Sequence, residues 1–194
     1  MAWVWYDRLD TNFEPAQFDY NSPVRMIDSL ASVPIDPGLG RPLYRTKSSL
    51  KNFERLHCPP TGDPPAVDLL WQEVILRFVP KELVQFFPIT LMARDGESQK
   101  FSWVLPFSRV RCINPDQSDV TSKIENPDIT LIISCRYYVH YEKCLGNKHL
   151  ARDEQQLNHI VVSDELRNAL AETGESSMFF RPEDIPTMGQ RIIN

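Results

Sequence analysis

Prolines set the tightest limit on what this chain can fold into. Sixteen prolines stand against seven glycines in 194 residues, and they gather at residues 15–42 and 59–65. A proline has no amide hydrogen to give to a sheet ladder, and it drives the residue before it out of helical geometry. Val33-Pro34-Ile35-Asp36-Pro37-Gly38 and Cys58-Pro59-Pro60-Thr61-Gly62-Asp63-Pro64-Pro65 therefore read as loops. Residues 1–65 are expected to form a largely irregular, proline-rich region packed on a regular core of residues 66–194, the two making one structural domain. Within that region, the aromatic alternation over 3–9 predicts a strand and 47–56 a short helix.

Beyond residue 66 the periodicity becomes regular. Residues 74–78 read as a short strand, and 80–87 as a helix with Pro80 in its first turn and Pro88 at its end. Residues 88–94 and 100–105 are β-rich and are separated by Asp95-Gly96-Glu97-Ser98, a hairpin signal. Residues 109–113 alternate charged with apolar, and 129–141 is the strongest strand candidate. A strand at 159–162 then meets Ser163, a natural N-cap for a helix reaching about Thr173, with Gly174 as its stop. Asp164 and Glu165 suit the positive end of that helix, and Leu166, Ala169 and Leu170 share one face. Residues 177–181 return as a strand. The fold class is α+β: a mainly antiparallel sheet with a few short helices. The segments 74–90 and 160–180 share one order of strand, short helix and aromatic strand, which leaves an internal duplication open.

Composition excludes several function classes. A formal charge of −5 and a pI near 5.4 do not favour nucleic acid, which needs clustered Lys and Arg. The start, Met1-Ala2-Trp3-Val4-Trp5, is no export signal, and no apolar run approaches the roughly 20 residues needed to cross a bilayer. A cytoplasmic location with no membrane partner is expected. Cys58, Cys112, Cys135 and Cys144 form no C-x-x-C pair and are expected to be reduced thiols.

No catalytic, cofactor-binding or metal-ligating residue is assigned from sequence. There is no G-x-S-x-G elbow, and seven scattered glycines form no phosphate or dinucleotide loop. His57 beside Cys58, and His140 four residues before Cys144, are the thiol–imidazole candidates; both read as structural. Paired zinc ligands are missing, so no metal and no cofactor is expected. The acidic connectors Asn114-Pro115-Asp116-Gln117-Ser118-Asp119 and Glu125-Asn126-Pro127-Asp128 are solvated by default, and would otherwise meet a basic partner. Trp3, Trp5, Tyr6, Phe13, Phe18 and Tyr20 read as core, with any exposed one a candidate interface anchor.

Residues 156–170, QLNHIVVSDELRNAL, followed by Met178-Phe179-Phe180-Arg181-Pro182, resemble a widespread bacterial immunity-protein family, typified by a myxobacterial member and encoded beside polymorphic toxins. In that family a late strand enters a v-S-d/e-x-L-x-x-a-L helix, then a final strand carrying F-x-P. The likeness covers about residues 66–184, including Phe78-Val79-Pro80-Lys81-Glu82-Leu83 and the paired strands at 100–105 and 110–114. Position 78 carries Phe where a serine cap belongs. The resemblance implies an inhibitor that binds and neutralises one cognate toxin or effector, delivered by type VI or contact-dependent secretion, and it brings no catalytic residues. The expected contact residues are Asp116, Asp119, Glu125, Asp128, Glu142, Asp153 and Glu154. An effector-binding adaptor or chaperone, or a small hydrolase, are the alternatives; oligomeric state is left open.

Overall fold

A computed structural model of the chain describes residues 2–6, 12–62, 64–125 and 130–185. The first strands are β1 (Ala2–Trp5), β2 (Gln17–Phe18) and β3 (Leu43–Arg45), followed by helix α1 (Leu50–Glu54). Then come β4 (Ala66–Val67), α2 (Leu69–Leu76), β5 (Val84–Pro88), β6 (Thr90–Ala93), β7 (Gly96–Ser98), β8 (Ser102–Pro106) and β9 (Arg109–Val110). The last are β10 (Val120–Glu125), β11 (Thr130–Cys135), β12 (Leu150–Asp153), β13 (Ile160–Ser163), α3 (Asp164–Ala171) and β14 (Phe179–Phe180). The sheets run β14-β1-β13-β12-β9, β4-β8-β5, β2-β3-β6-β7 and β10-β11. Among the described residues only the β9/β12 and β3/β6 pairs are parallel, so the fold is α+β and mainly antiparallel, as expected.

The strand, helix, strand order appears twice, and in the first copy its boundaries differ from the sequence reading. In the C-terminal copy β13 leads to Ser163, whose hydroxyl accepts the Leu166 N–H at 3.2 Å, and β13 and β14 both lie antiparallel to β1. In the earlier copy β4 leads to Asp68, whose carboxylate accepts the Trp71 N–H at 3.2 Å, and β4 and β5 both lie antiparallel to β8. The cap missing at Phe78 is thus Asp68, ten residues earlier.

The expected strand at 74–78 is instead the second half of α2, because Trp71, Val74 and Ile75 are buried at helical spacing. The expected helix at 80–87 is a 3-10 turn (Lys81–Leu83) followed by β5. Strand geometry wins there because successive side chains enter two different cores: Val84 and Phe86 pack with α2 and α3, and Phe87 with the N-terminal region. Pro88 is tolerated because β5 is an outer strand of its sheet. The hairpin at Asp95 joins β6 to β7, whereas Lys100–Leu105 overlaps β8 and pairs with β4 and β5.

Other elements are shorter than their apolar patterns. The strand expected at 3–9 is β1, with 7–9 outside the described residues; 47–56 holds α1, 109–113 holds β9, and 129–141 holds β11. Three buried clusters organise the packing. Ala16, Val24, Ile35, Tyr44 and Phe53 enter one cluster with Phe87, Ile89, Leu91 and Trp103, drawing on both sides of residue 65. Gln85 ties the same two regions, donating to the Ile35 carbonyl and accepting its N–H, each at 2.8 Å. Arg152, 1% exposed, does likewise by donating to the Ser29 carbonyl at 3.0 Å.

Candidate functional site

Among the described residues, strands β10 and β11 pair with each other and with no other strand. Their ladder is irregular at Val120–Lys123, a device that twists an edge away from unwanted pairing. Toward the body the two limbs stay linked. Arg136 N–H donates to the Asp119 carbonyl, Asp119 N–H to Tyr137, Asn114 N–H to Val139, and Tyr141 N–H to Cys112. The result is a ribbon spanning 112–125 and 130–141. Ile132 anchors it in the third core cluster, while Ile124 (56%), Ile133 (46%), Tyr137 (48%) and Tyr141 (41%) remain exposed. Isolated exposed apolar residues are ordinary, and these four are spread along both limbs of one ribbon.

Six of the seven expected contact carboxylates are described, and five of them lie on or beside this ribbon. Asp116, Glu125, Glu142 and Glu154 are exposed and Asp119 is half-buried. Asp119 accepts from Arg136 at 3.4 Å and Glu125 from Lys123 at 2.7 Å, so part of the acidic character is already neutralised locally. Asp128 lies outside the described residues. Asp153 is corrected: it is 0% exposed and accepts backbone N–H groups from Cys112 (2.9 Å), Gln155 (2.7 Å) and Gln156 (3.0 Å). Burial raises its pKa, against the lowering effect of those donors. It is a structural carboxylate that sets the strand around Cys112, out of a partner's reach.

The cysteines also depart from expectation. Cys112 and Cys144 form a disulfide, their Cα atoms 4.9 Å apart, instead of two reduced thiols; Cys58 and Cys135 are buried outside it. His140 joins the pair, so that one ligand atom from each of Cys112, His140 and Cys144 lies within 4.8 Å of the others. Sequence spacing showed only the His140–Cys144 half of this trio. The missing signal was that 109–113 and 129–141 are neighbours, as the bridge between Ile113 and His140 shows.

The other thiol–imidazole candidate is structural. His57 Nδ1 lies 2.8 Å from the Asp68 carboxylate, which also meets Lys100 Nζ at 3.3 Å, and Glu175 accepts the N–H groups of His57 and Cys58. These bonds lock the 57–58 turn onto the start of α2 and the end of α3. Of the N-terminal aromatics, Trp5 is buried, Trp3, Tyr6, Phe13 and Phe18 are half-buried, and Tyr20 is exposed. Tyr20 lies beside Asp19 and Arg45, which pair at 2.6 Å. Among the described residues, no helix is long and apolar enough to cross a membrane.

No curated protein matches this sequence. A family model does: it aligns with residues 73–184, more than half of the chain, and spans the ribbon, its base and the C-terminal strand, helix, strand copy. The chain belongs to the immunity protein family Imm11.

Proposed function

We propose that this chain binds and neutralises one cognate toxin of a bacterial polymorphic-toxin system from the cytoplasmic side, without catalysis of its own. Membership of the immunity family is the observation that carries the reading. The contact surface is the ribbon, with Ile124, Ile133, Tyr137 and Tyr141 as apolar anchors and Asp116, Asp119, Glu125, Glu142 and Glu154 as the polar rim. Aromatic and aliphatic anchors supply most interface energy, while rim charges set encounter rate and specificity. A stable complex buries roughly 1,200–2,000 Å² in total, so parts of the body beside the ribbon join the contact.

Co-expression with the toxin encoded next door tests this. Wild-type chain restores growth and co-purifies with the toxin; Ile124→Asp combined with Tyr137→Ala keeps its fold and loses at least about tenfold in affinity, the ordinary cost of one anchor. Continued killing with no complex removes the immunity role. A complex in which the toxin stays fully active identifies a loading adaptor instead. Unchanged affinity in the double variant moves the contact surface off the ribbon.

A further inference from the structure

Where the ribbon meets the body, three soft or borderline ligands converge from separate parts of the sequence. Cys112 follows β9, and its N–H is held by the buried Asp153 carboxylate at 2.9 Å. His140 is fixed on the opposite limb by the bridge to Ile113. Cys144 arrives on a turn in which Lys143 takes a left-handed backbone (φ 54°) and Gly146 another (φ 59°), with Leu145 anchored in the third core cluster. A non-glycine residue in that conformation is uncommon and costs free energy, so the packing around it fixes where Cys144 points.

The disulfide form leaves His140 unaccounted for. Both of its ring nitrogens are sealed from solvent, and neither has a hydrogen-bond partner among the described residues. Leaving a buried polar group unpaired costs about 1–3 kcal/mol, and ordinary packing would pair at least one nitrogen. Nothing in the disulfide form uses them. Cys144 also lines a surface hollow of about 390 Å³, together with Ala2, Gly146, His149, Ser163 and Glu165, so the Cys144 end of the trio borders the surface.

We propose that the reduced form of Cys112 and Cys144, together with His140, is a binding site for a thiophilic divalent cation such as zinc. Two thiolates and one imidazole form a ligand set that zinc favours, with a fourth position left to water. The two states exclude each other. An external thiol or phosphine supplies two electrons, two protons are taken up, the Sγ–Sγ bond breaks and two thiols form. Zinc then replaces the two thiol protons, which pass to solvent. Either state ties the strand carrying Cys112 to the 142–146 turn, so the base of the ribbon is held under oxidising and reducing conditions alike.

The test uses the full chain, reduced with a phosphine and freed of it without air, and titrated with Co²⁺ and then Zn²⁺. The reduced wild type binds one equivalent of Co²⁺ with a thiolate-to-cobalt charge-transfer band, and Zn²⁺ displaces it. The disulfide form binds none. His140→Gln and Cys144→Ser each weaken zinc binding by more than the roughly 10–100-fold expected from losing a mere supporting contact, whereas Cys135→Ser keeps the stoichiometry. If a variant fails to fold, the comparison of reduced with oxidised wild type still decides. Folded, reduced wild type with Cys112 and Cys144 as free thiols and no bound metal overturns the proposal. So does equal binding by the oxidised protein, or unchanged affinity in folded His140→Gln.

Discussion

The two strand, helix, strand segments bury the same two helix positions and differ in what they expose. Counting from the capping residue, Trp71 and Ile75 of α2 occupy the places of Leu166 and Leu170 in α3, and all four are 0% exposed. The difference lies on the solvent side. In α3 the first two helical positions are Asp164 and Glu165, which favour the positive end of the helix and complete an amphipathic pattern. In α2 they are Leu69 and Leu70, both exposed, and Leu76 is exposed as well. A helix is legible when its exposed positions are polar. Where they are apolar, the buried stripe disappears into a continuous hydrophobic run that looks like a strand.

The copies meet where Trp71 faces Trp5 (ring centroids 5.7 Å apart) and stacks on Phe179 (6.1 Å), its indole N–H donating to the Thr173 hydroxyl at 2.8 Å. Trp71→Ala should therefore damage both at once, costing about 3–5 kcal/mol in denaturant unfolding, the usual range for a buried aromatic. A loss under 1 kcal/mol would show the copies to be energetically separate.

The caps break the symmetry next. Ser163→Ala should cost about 1 kcal/mol, an ordinary cap loss. Asp68→Ala should cost more, about 2–3 kcal/mol, because His57 and Lys100 lose a partner together with the Trp71 N–H. Equal losses would mean that Asp68 does no more than cap its helix.

A smaller, pH-dependent difference belongs to the C-terminal copy, where His159 precedes β13. Burial, with a contribution from His140, lowers its pKa to about 3. The unfolded chain binds that proton near pH 6.5 and the folded chain does not, so stability falls as pH drops from about 6.5 toward 3. The slope is at most about 1.4 kcal/mol per pH unit from this group. His159→Phe, keeping a ring against Tyr138, should flatten the stability profile over that window. An unchanged profile would assign the acid sensitivity to other groups.

Legibility varied at the functional sites for a related reason. The acidic connectors could be read as solvated, and Asp116, Glu125 and Glu142 are exposed, but nothing local marked Asp153 as different from Glu154. Alternation along β12 does not separate them; the backbone amides of Cys112, Gln155 and Gln156 converging on one carboxylate do. Such donors offset part of a burial cost that depends on three-dimensional surroundings.

By itself the sequence determined the fold class, the Ser163-capped helix with its flanking strands, and the kinship carried by residues 156–182, since these rest on periodicity, capping and short-range spacing. Tertiary structure alone decided that the chain between Ala66 and Pro88 repeats that pattern from Asp68, that β10 and β11 form a two-stranded ribbon of their own, and that Cys112 lies against His140 and Cys144. Those outcomes depend on which distant segments pair. The gain from pairing comes from burial shared across the whole core, and no short window of sequence contains it.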